Sequence, residues 1–197
     1  MSVALAIGFV DPVHDAQRAF RAALEALARP GKIVDVGQPI EGLALPPALA
    51  HLLLALTDDD TPVWWRTAAA TAVQWLRFHT GASLAEQPQQ AAFAVVTDPA
   101  AMPGLGEFAQ GSAASPEFST TVLVEVPSLV AGSVLQWHGP GIRDSQAVCI
   151  AGMPADFWNQ WQANHAAFPQ GVDLIFTCGA QAIGLPRTTR IARLEGV

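Results

Sequence analysis

The sequence predicts an α/β protein, a mixed β-sheet covered by helices and organised as a single domain over residues 1–197. Three observations carry this. Helix-period and strand-type segments alternate through the first half of the chain. Trp64 and Trp65 are adjacent in a strand-type run, so they point to opposite faces of a sheet, and both are buried only if each face is covered. A hydrophobic content of 51% in 197 residues is enough to bury one good core.

The first helix begins at Asp11-Pro12, with proline suited to the first helical position and Asp15 near the positive end of the helix dipole, and it runs to about Ala28. Val13, Phe20, Leu24 and Leu27 fall on one stripe, the expected buried side, while Arg21 with Glu25 and Glu25 with Arg29 form i,i+4 pairs on the wet side. Pro30-Gly31 ends the helix and KIVDVG reads as a short strand. PPALAHLLLAL (46–56) is apolar nearly all round, a buried helix stopped by the turn residues of TDDDT. Residues 62–66 read as a strand and 68–79 as a helix through Val73 and Leu76; the apolar run 92–97 suits a strand covered on both faces. Residues 120–126 and 133–138 are two strands joined by PSLVAG, a connector too short for a helical crossover, so they are expected to pair antiparallel in a mixed sheet. A helix over 155–165 and strands over 173–178 and 182–185 close the chain.

Composition narrows the function. A net charge of −7 with pI near 5.0 argues against a nucleic-acid surface, which needs clustered Lys and Arg. Charged residues make up only 14% of the chain against about a quarter in typical proteins, so small polar residues, apolar atoms or partner chains must complete the surface, and the last of these points to an assembly. MSVALAIGFVDPVHD has no basic n-region, and no apolar run reaches the roughly 18 residues needed to cross a bilayer; the expectation is a cytoplasmic protein without membrane contact. Cys149 and Cys178 have no neighbouring cysteine, which excludes a zinc knuckle or a redox CxxC and leaves two buried thiols as the expectation. Lys32 is the single lysine and lacks a P-loop frame.

Several motifs invite a chemical reading. Residues 104–109 match a loose G-x-G-x-x-A pattern, with Glu125 at the distance of a ribose-binding acid, but the preceding strand ends near Thr97 and Pro99 and Pro103 fill the gap, so a surface loop is expected. Asp58, Asp59 and Asp60 could hold magnesium, or could simply be a loop after a helix. Arg77 and His79 end a helix, where cations answer the dipole, though two such groups could also flank an anion. No serine stands in a nucleophile elbow. Trp64 and Trp65 are candidates for a subunit interface. Pro186-Arg187-Thr188-Thr189 sets a planar fork of donors beside two hydroxyls, which could bind an anion or order the end of a sheet.

Together, PVHDAQRAFR (12–21), DDDTPVWW (58–65), LRFHT (76–80), GPGI (139–142) and FPQGVDLIFTCG…LPRTT (168–189) resemble the PhnH family of carbon–phosphorus lyase components across most of the chain. The resemblance implies a cytoplasmic homodimer with a fold like that of pyridoxal-phosphate-dependent transferases but no bound cofactor. With Lys32 just after the first helix, the Schiff-base anchor of that fold has no candidate. It further implies work alongside the G, I and J subunits in phosphonate breakdown, with no chemistry assigned to PhnH proteins themselves, so no catalytic residue and no metal is expected. Two readings of the last motif then stand. In one, Arg187 orders the end of a sheet in an accessory subunit; in the other, Arg187, Thr188 and Thr189, with Arg77, His79, Asp58 and Asp60 as further candidates, bind a phosphonate or an ATP phosphate.

Overall fold

The computed structural model describes residues 5–67 and 69–193. Helix α1 spans Pro12–Ala28, and its N-cap Asp11 accepts the His14 N–H. Strand β1 (Val34–Asp35) and helix α2 (Pro47–Leu56) follow, then β2 (Val63–Trp65) and α3 (Ala70–Thr80), which Gly81 ends in the left-handed conformation. Ala68, the expected start of this helix, lies outside the described residues. The chain continues through β3 (Phe93–Val96), β4 (Thr121–Glu125), β5 (Val134–His138), β6 (Gln146–Cys149), α4 (Phe157–Ala166), β7 (Asp173–Cys178), β8 (Gln181–Leu185) and β9 (Arg190–Arg193).

The main sheet has six strands in the order β1-β8-β7-β4-β3-β2. Strands β2, β3, β4 and β7 are mutually parallel, while β8 and β1 add antiparallel neighbours, so the sheet is mixed as expected. Alternation along the central strands divides the core. Val95, Leu123 and Ile175 face α1, α2 and α3; Val96, Val124 and Phe176 face α4 and a second sheet. Trp64 and Trp65 do point to opposite sides, Trp64 packing edge-on against Phe108 at 5.9 Å and Trp65 lying half-buried against the helices. Among the described residues no helix is long and apolar enough to cross a membrane.

Four expectations fail. Strand β5 does not pair with β4: both edges of β4 are taken by β3 and β7, and the short connector carries the chain off the sheet into a three-stranded antiparallel layer, β6-β5-β9, whose outer strands are not among the expected elements. The cysteines are half-exposed instead of buried, since each stands at a strand end; Cys178 donates to the Pro127 carbonyl. Helix α1 is turned over. Its buried side is Asp15, Ala19, Ala23 and Ala26, whereas Val13, Phe20 and Leu24 stand exposed at 73%, 46% and 52%. Alanines let the helix come close to α2 and β8, and bulky side chains would hold it off. The Arg21–Glu25 pair is also absent, because Glu25 takes Arg29 at 3.1 Å and Lys32 at 2.6 Å.

Candidate functional site

Arg187 lies just beyond β8 and folds back on the first residue of β7. Its Nε donates to Asp173 Oδ1 at 3.1 Å and its Nη2 to Asp173 Oδ2 at 2.5 Å, a two-pronged pair that the Arg187 backbone N–H joins at 2.7 Å. Nη1 donates to the carbonyls of Pro116 and Pro169, both at 3.2 Å, and Nη2 to Ser119 Oγ at 2.5 Å. All five guanidinium N–H groups are therefore directed at this chain's own acceptors. Thr189 is fully buried; its N–H donates to Pro186 and its carbonyl accepts from Trp161 Nε1, and Thr188 beside it is half-buried. Asp173 pairs with Thr121 at the amino ends of β7 and β4, whereas ligands of open α/β sheets bind beyond the carboxyl ends.

No hydrogen bond or ion pair joins the other candidate residues to Arg187, although Asp60 lines a small cavity together with Ser119, one of the Arg187 partners. His79 holds the N-terminal arm: its Nε2 donates to the Ala6 carbonyl at 3.1 Å, beside Trp75 Nε1 to Ile7 at 3.2 Å. Arg77 lines a shallow groove on α3 with Phe78 and Gly81. Asp58 and Asp60 form a local turn with Thr61, in which Asp58 Oδ1 accepts the Asp60 N–H at 3.1 Å. Asp60 borders a small cavity beside Phe118. Residues 105–107 are a single 3-10 turn with Glu107 capping the Gly104 N–H, and Glu125 is in β4, so residues 104–109 have no strand-to-helix geometry. Among the described residues no three His, Cys, Asp or Glu side chains converge to hold a metal ion.

One sizeable cleft among the described residues was not legible in the sequence. It encloses about 770 Å³ between the N-terminal arm, the start of α1, β1 and residues 36–41, with His51 of α2 at its wall. Asp15 is buried there, taking the Asp11 N–H at 3.0 Å and the Arg18 guanidinium. His51 lies edge-on to Phe9, and its Nε2 sits 3.0 Å from the Gln38 carbonyl. A carbonyl only accepts, so Nε2 carries the proton. Burial holds the His51 pKa below its usual value, and the ring stays neutral near pH 7. Gly37 closes the other side: a Cβ at this position would lie 2.2 Å from His51 Nδ1. Asp11, Asp35 and Glu41 also line the cleft, and its one cation, Arg18, is bound to Asp15, so the field inside repels phosphate groups. A lone histidine in the otherwise apolar α2 was the available signal.

A second half-buried carboxyl stands at the carboxyl end of β4. Glu125 accepts from Thr177 Oγ1 and from the Gly179 N–H at 3.1 Å, and burial raises its pKa. Burial, and then the Glu125 charge, raise the Cys178 thiol, so it stays protonated and is a poor nucleophile. Four of the five histidines, His51, His79, His138 and His165, lie against backbone carbonyls, and the fifth, His14, caps α1 with Asp11.

These placements define a mixed α/β protein whose conspicuous arginine is a tie within its own frame and whose cleft at His51 is lined by acids. The chain matches the family described as bacterial phosphonate metabolism protein (PhnH) over residues 7–192. It is 39% identical over 191 residues, 94% of each chain, to the alpha-D-ribose 1-methylphosphonate 5-triphosphate synthase subunit PhnH of Rhizobium meliloti (strain 1021). It is 32% identical over 185 residues to the putative C-P lyase subunit protein HtxG of Stutzerimonas stutzeri, covering 89% of this chain and 85% of that protein. The chain belongs to the PhnH family.

Proposed function

We propose that this protein is an accessory, non-catalytic subunit of a carbon–phosphorus lyase assembly, acting with the G, I and J subunits when phosphonate is transferred to the ribose C1 of ATP and the C–P bond is later broken. The observation that carries the reading is the match, over nearly the whole of both chains, to a protein named as a synthase subunit. The commitment of every Arg187 donor to the chain itself supports a structural part for the Pro186 to Thr189 motif over a phosphate-binding one. The subunit is a cytoplasmic homodimer of one domain, and the exposed stripe of Val13, Phe20 and Leu24 supports self-association through α1.

Its fold is of the pyridoxal-phosphate transferase kind without the cofactor. In support, Lys32 is engaged in an ion pair with Glu25 at the surface. A cofactor aldimine absorbance that Lys32→Ala abolished would overturn that part. The function itself is tested by reconstitution. The isolated chain is expected to show no turnover of ATP with an alkylphosphonate, while its omission from the full set of subunits abolishes or strongly reduces the reaction. Turnover by the chain alone, or full activity without it, would refute the accessory role.

A further inference from the structure

Two Pro/Gly motifs far apart in sequence meet in space. Pro30-Gly31 follows α1, and GPGI (139–142) follows β5. Gly141 sits at φ +81, and a Cβ there would be 2.0 Å from the Ala28 carbonyl oxygen, so backbone rests directly on backbone at the end of α1. Gly31 in turn meets the Gln146 side chain, where a Cβ would lie 2.6 Å from Cγ. This contact sets Arg29, Lys32 and Arg143 around one cleft of about 310 Å³.

Three of the chain's ten Lys and Arg residues thus line one small cavity of a protein with net charge −7. Its one acidic lining residue is Asp144, and Glu25 stands outside, bridging Arg29 and Lys32. Cations beside the carbonyl end of a helix are what its dipole favours, and that accounts for Arg29 and Lys32. It does not account for Arg143, which comes from the other segment, is exposed, and makes no hydrogen bond or ion pair among the described residues. An unpaired guanidinium that lines one cleft with two further cations is a site for a multiply charged oxyanion. The acid-lined cleft at the other end of α1 is electrostatically its opposite.

We infer that the cleft between Pro30-Gly31 and residues 139–146 binds a phosphate group, held by Arg143 with Lys32 and Arg29. Calorimetry on the full chain at low ionic strength, with inorganic phosphate, inorganic triphosphate and ATP as separate probes, tests this. Saturable binding is expected, weakening about tenfold in Arg143→Ala and again in Lys32→Ala, with melting unchanged in Arg143→Ala because that side chain supports nothing else. Equal affinity for triphosphate and ATP would make the phosphate chain the ligand; tighter ATP binding would make it a nucleotide. The inference is overturned if none of the three probes binds saturably, or if affinity is the same in wild type, Arg143→Ala and Lys32→Ala.

Discussion

Arg187 and Asp173 are locked fork to fork, Nη2 to Oδ2 at 2.5 Å and Nε to Oδ1 at 3.1 Å, with side-chain exposures of only 11% and 23%. The remaining guanidinium donors tie in Pro116, Pro169 and Ser119, so one side chain joins the segments that precede β4, β7 and β9. Arg187→Lys keeps the charge and loses the planar fork. It should lower stability by about 1 to 3 kcal/mol, read as a reduced urea midpoint, with no change in ATP or phosphonate affinity. Unaltered melting together with lost anion binding would instead assign Arg187 to a ligand.

Helix α1 offers the second prediction. Val13, Phe20 and Leu24 recur on its outer side, flanked by Arg21, which has no partner among the described residues. Sedimentation should find the wild type dimeric at micromolar concentration, and Phe20→Glu with Leu24→Glu should be monomeric with unchanged far-ultraviolet dichroism. A monomeric wild type, or a dimeric double variant, would remove α1 as the self-association surface.

At Gly37 the backbone passes so close to His51 that a methyl group would lie 2.2 Å from Nδ1. The ring cannot swing aside freely, because Gln38 and Phe9 hold it. Gly37→Ala should therefore cost about 1 to 3 kcal/mol by overpacking. Adding His51→Ala should recover part of that loss, and a strictly additive double-mutant cycle would show that the two residues do not meet.

Two groups give stability opposite pH slopes. Burial depresses His51 below 6.5, so on acidification the unfolded chain takes up the proton first. Stability falls as pH drops below about 6.5 and levels once the lowered folded value is passed. Burial raises Glu125 above 4.5, so the folded state keeps a proton that the unfolded chain releases. Stability therefore declines as pH rises from about 4.5 until the raised value is passed. Urea midpoints measured from about pH 4 to 8 should lose the first slope in His51→Gln and the second in Glu125→Gln. Slopes unchanged in both variants would contradict these assignments.

Local rules were strong enough to place most elements. Asp11-Pro12 and Pro30-Gly31 bracket α1, the run 173–178 is β7 to the residue, and the adjacent tryptophans correctly required cover on both faces of the sheet. Each of these depends on neighbours within a few residues, by capping, by alternation or by chain stiffness. The family was legible too, because it rests on the order of several blocks.

Tertiary structure decided what local rules leave open. Helix α1 has two apolar arcs, and only the space against α2 and β8 selected the alanines over Phe20 and Leu24. Strand β5 has a pattern as suitable for the main sheet as for another, but β4 had no free edge to offer it. Arg187 stays open between a sheet tie and an anion site in sequence because its partners, Asp173, Pro116, Pro169 and Ser119, come from other parts of the chain. The cationic cleft at Arg143 and the acidic one at His51 are likewise assembled from segments that only folding brings together. Sequence spacing determines which faces a segment can present, and the competition among segments for the same space determines which of them it uses.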